Sequence, residues 1–523
     1  MGAILRILGL VIKVIFKFVV FTGLYIPIIA FFIMGKIPYL RHAREGETGA
    51  YIIIGVLIIS FVGSALITIK NIIRFGKADF SYREILSNLF SNKKREYENI
   101  DKNLKGLESG IVLGKDRDYI TMKENEEGHL LIVGGQGSGK TSTIAIPTLL
   151  NYDNPVFAID IKGELSDISK NYRKNMKIFD PTNESTPHYD IYKVLECGDR
   201  VQGAREIVNT LIPIPKDIKD PYWLESAQNL LTSSILHFSS IDLDFIETCE
   251  AIMSTNVKEL IEILSNSDVI EARMFVNQFV GAEEKQLASI YSTLSNNIIL
   301  FATDKDIKRA LSKNSLNGYI SMNDLENGVD IFIRIKEEKI EQWKLVLSLI
   351  TNQFLKEFEK RKNNNDKKIL FLIDEFPRLG KIGAISNGLA TLRSKGIQIM
   401  LIIQSLAQLD SIYGKDTRKI ITDNCNYKVV LKATEVETQE YFSKLVGTEE
   451  REKISNSTSK QSFSIRNNQG LNKTTEEKKI IRPEEFAYLG DKPVIFTPYG
   501  WCRANKVKYY EDKIFKERIG LNE

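Results

Sequence analysis

The sequence predicts an α/β fold in which a parallel sheet carries a phosphate-binding loop, an all-α segment is inserted into the sheet domain, and two transmembrane helices come first. Three observations lead to this prediction. A glycine-rich loop follows a short apolar run at residues 130–133. Short apolar runs that end in polar residues then alternate with helical stretches, which is typical of a parallel sheet. Two uncharged stretches near the amino terminus are each long enough to cross a bilayer as helices.

Composition limits the class of protein. The chain has 523 residues, which is enough for several domains at roughly 150 residues each. Its net charge of +4, from 71 basic and 67 acidic residues, is nearly balanced, so any nucleic-acid-binding surface must be local. The four cysteines lack C-x-x-C spacing, which argues against a disulfide framework or a zinc site and favours a reducing compartment.

Residues 1–75 are predicted to form a membrane anchor. Residues 18–34 and 50–69 carry no charge and are the predicted spans, with a short external loop at 35–49. The two flanks together hold more Lys and Arg than the loop: three before the first span and seven from Lys70 to Arg95, against three in the loop. The positive-inside rule therefore puts both termini and the bulk of the chain in the cytoplasm. A cleaved signal peptide does not fit, because no small-x-small site follows the first apolar run. A buried helical hairpin of a soluble protein remains the alternative.

Residues 76–125 are mixed and charged and are predicted to be a connector. The loop after this connector matches G-x-x-x-x-G-K-[ST], a pattern whose backbone N–H groups surround the phosphates of a nucleotide. We expect Gly135, Gly137 and Gly139 to adopt positive φ at no steric cost. An ordinary glycine-rich turn between a strand and a helix is the alternative. The predicted nucleotide-binding residues are Gly134, Gly135, Gln136, Gly137, Ser138, Gly139, Lys140, Thr141 and Ser142.

Four residues are predicted to carry the chemistry. Lys140 is expected to reach the β- and γ-phosphates of ATP, and Thr141 to bind Mg²⁺ through its hydroxyl. The apolar run Ile369–Ile373 is followed by two acidic residues. Asp374 is expected to help hold Mg²⁺, and Glu375 to act as general base toward the attacking water. Helix-capping acids would give the same pattern, but the phosphate loop upstream favours the catalytic interpretation.

Two further residues are candidates for catalysis. Gln404 ends an apolar run at 398–404 and is placed to sense the γ-phosphate, with a buried hydrogen-bonding amide as the alternative. Arg393 precedes this run and is a candidate arginine finger for a neighbouring subunit, because phosphoryl transfer gains from an external cation. A charge on a surface helix explains Arg393 equally well.

The sheet domain is predicted to be interrupted. Residues 197–315 have apolar residues at three- and four-residue spacing and few strand-like runs, which predicts an all-α inserted domain. The sheet domain then comprises residues 126–196 and 316–523. Within the insert, Trp223 is expected to be a core residue, with stacking on a nucleic-acid base as the alternative. Residues 448–479 are polar with few apolar anchors and are predicted to be a mobile loop.

The motifs, in their order along the chain, resemble those of the TraG/TraD-like coupling proteins of type IV secretion and conjugation. The resemblance covers about residues 1–515, and the ordered set is more specific than the phosphate loop alone. Asp160, Lys162 and Glu164 match the family's D-x-K-G-E and are possible accessory residues. The other matching segments include I-P-T-L-L at 146–150, F-D-P at 179–181, W-L-E-S-A-Q-N-L-L at 223–231, D-E-F-P-R-L-G at 374–380, R-S-K-G-I at 393–397 and Q-S-L-A-Q-L at 404–409.

The resemblance implies a RecA-like P-loop NTPase domain with an all-α insert, assembled as a homo-hexamer in the bacterial inner membrane. It implies hydrolysis of ATP with Mg²⁺. It also implies delivery of single-stranded DNA with its relaxase, or of secreted effector proteins, to type IV secretion channel components, with membrane lipid around the anchor. ATP is preferred to GTP because no N-K-x-D motif follows. An FtsK-like DNA translocase and a nucleotide-gated docking receptor without motor activity remain alternatives.

Overall fold

The computed structural model describes residues 102–196, 198–215, 218–363, 367–458 and 469–521. The two predicted spans, the loop between them and the first part of the predicted connector lie outside these ranges. Within the ranges, no helix combines the length and the apolar character that crossing a membrane requires.

A nine-stranded sheet is the centre of the described part of the chain. The described residues form thirteen strands, of which nine belong to this sheet, whereas β1–β2 and β10–β11 form separate two-stranded sheets. In chain order the strands are β1 (Gly110–Lys115), β2 (Tyr119–Lys123), β3 (Leu130–Gly134), β4 (Val156–Asp160), β5 (Met176–Phe179), β6 (Asp330–Arg334), β7 (Ile369–Ile373), β8 (Ile397–Ile403), β9 (Tyr427–Lys432), β10 (Thr448–Thr458), β11 (Gln469–Lys479), β12 (Val494–Thr497) and β13 (Gly500–Arg503). The order in the large sheet is β13-β12-β9-β3-β8-β7-β4-β6-β5. All neighbours from β9 to β5 are parallel, and β12 and β13 add antiparallel pairs at one edge.

Helices lie in the connections between the parallel strands, because parallel strands need crossover connections. A π-helical turn, Thr141–Ala145, leads from the phosphate loop into the first of them. The α-helices are α1 (Ile146–Leu149), α2 (Glu164–Ser169), α3 (Lys193–Glu196), α4 (Arg200–Leu211), α5 (Tyr222–Ser240), α6 (Phe245–Ser254), α7 (Val257–Ser265), α8 (Ile270–Val276), α9 (Glu284–Thr303), α10 (Lys305–Leu311), α11 (Met322–Glu326), α12 (Ile340–Glu359), α13 (Ile385–Thr391), α14 (Leu406–Tyr413), α15 (Lys415–Asn424), α16 (Val436–Val446) and α17 (Lys513–Arg518).

The central strands are apolar along their whole length because both faces of the sheet are covered. Every residue of β3, β4, β7 and β8 is buried. Side chains alternate between the faces: Leu131 and Val133 join the core that continues into helices α4 to α10. Leu130 and Ile132 join a second core with the hairpin β1–β2. The helical segment at 193–311 therefore shares one continuous core with the sheet, and the exact domain boundaries stay predictions.

The register of the parallel strands brings three loops to one edge. The carboxyl-terminal residues of β3 pair with those of β8, and the end of β7 pairs two residues before the end of β8. Gly134 at the end of β3, Asp374 after β7 and Gln404 after β8 therefore leave the sheet side by side. This is the carboxyl edge at which open α/β sheets bind ligands.

Part of the predicted connector is an element of the folded domain. β1 and β2 form an antiparallel hairpin, and its side chains Ile111, Leu113, Ile120 and Met122 are buried in the second core. The charged residues of this segment concealed the hairpin, because they dominate its composition whereas its apolar positions carry the packing.

Two other expectations are wrong. Residues 448–458 and 469–479, predicted as a mobile loop, form the antiparallel ribbon β10–β11, paired from Thr448↔Lys479 to Thr458↔Gln469. A polar composition concealed this ribbon because strand pairing satisfies backbone groups without needing apolar side chains. Trp223 is 40% exposed instead of belonging to the core. It lies in the first turn of α5, whose buried stripe begins further along.

A buried histidine just before β3 is expected to make the stability of the fold sensitive to acid. His129 is buried, and its Nδ1 accepts a hydrogen bond from Ile399 N at 3.0 Å. Burial is the main cause that lowers the pKa of His129 to about 4, from an ordinary value of 6.5. The folded protein therefore holds a neutral imidazole where the unfolded chain would be protonated.

We expect the folded state to lose stability as pH falls below 6.5, because the unfolded state binds the proton more tightly. The loss from this residue between pH 7 and pH 5 is about 2 kcal/mol. Urea unfolding at both pH values, for wild type and His129→Gln, measures it: the variant should show a smaller difference in unfolding free energy. Equal pH dependence in the two proteins would contradict the assignment of a neutral buried imidazole.

Candidate nucleotide-binding site

A polar cavity of about 450 Å³ opens at the carboxyl edge of the sheet. Loops that follow β3, β4, β6, β7 and β8 all contribute to it. Its lining residues are Gln136, Gly137, Gly139, Lys140, Thr141, Ser142, Lys162, Glu164, Glu337, Asp374, Glu375, Arg378 and Gln404. The structure therefore brings together most of the residues that the sequence singled out separately.

The phosphate loop needs glycine at specific positions. Gly137 and Gly139 have φ of +68° and +90°, a region that other residues enter at a steric cost. Gly135 does not have positive φ, so the expectation for this residue is wrong. A Cβ at Gly134 would collide with the Oγ of Ser138. That hydroxyl is buried and has no partner among the described residues, so it fits a ligand oxygen, and the loop fits a phosphate chain.

Lys140 lies between the loop and the acidic residues that follow β7. Its Nζ donates to Gly134 O at 2.8 Å. Burial lowers the pKa of Lys140, whereas the charges of Asp374 and Glu375 oppose this shift. The side chain is long enough to exchange these carbonyl contacts for phosphate oxygens.

Thr141 and Asp374 place two oxygen atoms where they could serve as ligands for a metal ion. Thr141 Oγ1 lies 3.5 Å from Asp374 Oδ2, and the other oxygen of Asp374 accepts a hydrogen bond from Glu375 N at 2.9 Å. Burial, followed by the charge of Glu375, raises the pKa of Asp374 to about 6. A hydroxyl and a carboxylate suit Mg²⁺, which takes few protein ligands besides phosphate and water.

Glu375 is held in an unusual backbone conformation between two cations. Its φ and ψ are 47° and 43°, a left-handed conformation that costs about 1–3 kcal/mol for a residue other than glycine. Arg378 Nη1 donates to its Oε2 at 2.8 Å. Lys162 Nζ lies 3.8 Å from its Oε1. The carboxylate therefore projects into the cavity beside Lys140 and Asp374.

Two residues that line the cavity, Arg378 and Glu337, were not predicted as site residues from the sequence. Arg378 belongs to the D-E-F-P-R-L-G motif, but nothing in the spacing said that it turns back toward Glu375. Glu337 follows β6 and belongs to no motif. Arg378 Nη1 also donates to Glu337 Oε1 at 2.8 Å, and this hydrogen bond is the main cause that lowers the pKa of Glu337.

The three possible accessory residues occupy different places. Asp160 is buried and faces helix α2, where it accepts hydrogen bonds from Ser166 N at 2.8 Å and Ser166 Oγ at 2.6 Å. It does not line the cavity. Lys162 and Glu164 do line it. The geometry gives Asp160 a part in fixing the loop that presents Lys162.

Gln404 and Arg393 lie near opposite ends of strand β8. Gln404 lines the cavity at the end of β8. Arg393 precedes β8, and its Nε lies 3.8 Å from the Oε2 of Glu127, which precedes β3. β8 has seven residues, so at roughly 3.3 Å per residue Arg393 is about 20 Å from the cavity of its own chain.

A parallel sheet with this loop after β3, and with an Asp-Glu pair after β7, which is separated from β3 by β8 alone, defines a P-loop nucleotide-binding protein. The chain belongs to the Type IV secretory system conjugative DNA transfer family, whose family model matches residues 81–522. The resemblance predicted from the sequence motifs is therefore confirmed.

Individual relatives are distant. Protein VirD4 of Rhizobium rhizogenes is 24% identical over 417 residues, which cover 76% of this chain and 60% of that protein. Conjugal transfer protein TraG of Escherichia coli is 24% identical over 469 residues, which cover 79% of this chain and 73% of that protein. The match thus spans about three fifths of the length of the VirD4 relatives.

The solved structures that are similar include the plasmid coupling protein TrwB in complex with the ATP analogue ADPNP. Its TM-score is 0.60 at 18% identity, covering 79% of this chain and 91% of that chain. TrwB has also been solved with the GTP analogue GDPNP, and with ADP and Mg²⁺. At this identity the likeness establishes the fold, and it confirms the predicted α/β RecA-like fold of the sheet domain.

We expect Asp374→Asn to remove the Mg²⁺-dependent part of nucleotide affinity, because the substitution deletes the charged oxygen that faces Thr141. Loss of a metal ligand of this kind should weaken ADP binding in Mg²⁺ by roughly tenfold or more and leave binding in EDTA unchanged. Titration calorimetry with ADP, with and without Mg²⁺, makes the comparison. Asp416→Asn, at a fully exposed aspartate, is the matched control. A variant whose ADP affinity responds to Mg²⁺ as wild type does would contradict the assignment.

Proposed function

We propose that this chain is a membrane-anchored ATPase that couples ATP hydrolysis to the delivery of cargo into a type IV secretion channel. One observation carries the proposal: Lys140, Thr141, Asp374 and Glu375 line one cavity at the carboxyl edge of the sheet. Family membership adds the biological context, since the family is one of conjugative DNA transfer.

The roles of the chain's own groups follow from their positions. N–H groups of residues 134–142 and the Ser138 hydroxyl bind the phosphate chain, and Lys140 bridges the β- and γ-phosphates. Thr141 and Asp374 hold Mg²⁺, which neutralises charge on the phosphate oxygens when it is bound. Glu375 accepts a proton from water as the water oxygen bonds to the γ-phosphorus. The bond from that phosphorus to the bridging oxygen breaks, and ADP and phosphate leave.

Gln404 and Arg393 complete the proposed machinery in different ways. Gln404 lies beside the phosphate loop, where its amide is within reach of a γ-phosphate. Arg393 is too far from its own cavity to act there. It can contribute only to the cavity of a neighbouring subunit, which is the geometry of an arginine finger in a ring. The homo-hexamer is proposed from the family resemblance, and a surface charge is the alternative role for Arg393.

ATP is the proposed nucleotide, although TrwB has been solved with analogues of both ATP and GTP. The sequence lacks the N-K-x-D motif that reads guanine in other P-loop proteins. Residues 1–75, with spans at 18–34 and 50–69, are the proposed anchor in the bacterial inner membrane. The rest of the chain is then cytoplasmic, and membrane lipid surrounds the anchor.

The proposed cargo is single-stranded DNA with its relaxase, secreted effector proteins, or both. With a net charge of only +4, a DNA contact must come from a local basic surface. The conjugative family supports DNA as the first cargo to test.

The ATPase rate of the full chain in detergent, with and without single-stranded DNA, tests this proposal. We expect DNA to stimulate turnover at 50 mM salt, and we expect the stimulation to fade at 200 mM. A surface that contacts about five phosphates loses roughly 100-fold in affinity over this range, because counterions are released on binding. Salt-independent ATPase activity without stimulation would favour protein cargo. Nucleotide binding without turnover would favour a docking receptor.

A further inference from the structure

We propose that Arg378 is a positioning residue for hydrolysis, which fixes the orientation of the Glu375 carboxylate and is itself held by Glu337. This inference rests on the proposed ATPase function and names a relay of side chains within the same cavity. The relay joins the loops that follow β6 and β7 through one guanidinium nitrogen.

The contacts define which oxygen of Glu375 is occupied. Arg378 Nη1 donates to Glu375 Oε2 at 2.8 Å, a charge-assisted hydrogen bond. Among the described residues, the charged group near Oε1 is Lys162 Nζ at 3.8 Å, beyond hydrogen-bond length, and the Lys162 side chain is 53% exposed. Oε1 is therefore the oxygen available to a water molecule, whereas Oε2 is the anchored one.

The position of Arg378 is set by the turn on which it lies. Phe376–Leu379 form a 3₁₀ turn whose Phe376 and Leu379 are buried. The Phe376 ring stacks on Tyr413 with centroids 5.5 Å apart, and Tyr413 OH accepts a hydrogen bond from Ile382 N at 3.0 Å. With its neighbours packed in the core, Arg378 projects from the opposite side of the turn, three residues beyond Glu375.

Glu337 accepts a hydrogen bond from the same guanidinium nitrogen that contacts Glu375. The Nη1 of Arg378 lies 2.8 Å from Glu337 Oε1 as well as 2.8 Å from Glu375 Oε2. Each of its two hydrogens therefore has one carboxylate. Because a rotation of the Arg378 side chain would break both contacts, Glu337 restricts the orientations open to Arg378, and Arg378 restricts those open to Glu375.

A positioning role and a restraining role for Arg378 predict opposite changes in turnover when Arg378 is removed. If Arg378 kept Glu375 away from water, its removal would raise turnover. The position of Oε1, which has Lys162 Nζ at 3.8 Å, and the left-handed backbone of Glu375 indicate the opposite: the carboxylate is already directed into the cavity, and Arg378 prevents it from rotating. Misorientation of a catalytic group is costly because proton transfer needs hydrogen-bond geometry.

The test uses the full chain and the variants Arg378→Ala and Arg378→Lys. We expect Arg378→Ala to lower kcat by about 10- to 100-fold, the usual loss when an orienting group is removed, with the Kd for ADP unchanged within about twofold. Arg378→Lys keeps a cation that can bridge both carboxylates, so it should recover part of kcat. Arg117→Ala, in the exposed turn between β1 and β2, is the matched control and should turn over as wild type does.

A double-mutant cycle tests the role of Glu337. Glu337 is exposed, so Glu337→Gln should lower kcat only by about two- to fivefold. In the Arg378→Ala background the same change should have no further effect, because Glu337 acts through Arg378. Additive losses would overturn the relay. Thermal unfolding of each variant identifies any that fails to fold, in which case Arg378→Lys carries the comparison.

The outcomes separate this inference from the proposed function. Wild type without ATPase activity would refute the function itself. Active wild type with unchanged or raised kcat in Arg378→Ala would overturn the inference alone. So would a loss of ADP affinity at unchanged kcat, because Arg378 would then be a ligand-binding residue.

Discussion

Parallel pairing of β3 with β8, and of β8 with β7, is the constraint on which the site depends. These strands are buried on both faces, so a shift of one residue in any of them would turn apolar side chains from one core to the other. Their register is therefore fixed by packing. Since the phosphate loop, the Asp-Glu pair and Gln404 each follow one of these strands directly, the register of the core also fixes the distances between them.

The charges gathered at this edge explain the local electrostatics. Two adjacent carboxylates, Asp374 and Glu375, line the same cavity as Lys140. Burial, followed by the charge of Glu375, raises the pKa of Asp374, whereas the charge of Lys140 opposes this shift. Arg378 and Lys162 balance Glu375, whereas a divalent cation would balance Asp374. The arrangement is therefore stabilised by the Mg²⁺-nucleotide that it is proposed to bind, because each ligand charge meets an opposite charge already in place.

Much of this site could be predicted from the sequence, because the informative residues sit next to strands. The strand around Leu130–Gly134 and that at Ile369–Ile373 are continuous apolar runs, and the residues after them follow known phosphate and metal chemistry. Arg378 and Glu337 could not be assigned in this way. Their contact depends on how a 3₁₀ turn folds back and on which strand lies next to which, and neither is encoded by local spacing.

Two strand pairs and one exposed tryptophan could not be predicted from the sequence. The ribbon β10–β11 is held by backbone pairing, and the hairpin β1–β2 by a few apolar side chains among charged ones, so composition hid both. Trp223 shows the limit of helical periodicity, which identifies the buried stripe of α5 but not where along the helix that stripe begins.

The central claim is that one edge of the sheet binds and hydrolyses ATP, with Glu375 as the base. The most direct measurement is ATP binding and phosphate release from the same preparation of wild type and Glu375→Gln, with Lys140→Ala as the control that should lose binding. The account predicts that Glu375→Gln keeps ATP affinity and loses turnover by roughly 10²- to 10⁴-fold. Unchanged phosphate release from Glu375→Gln would contradict it.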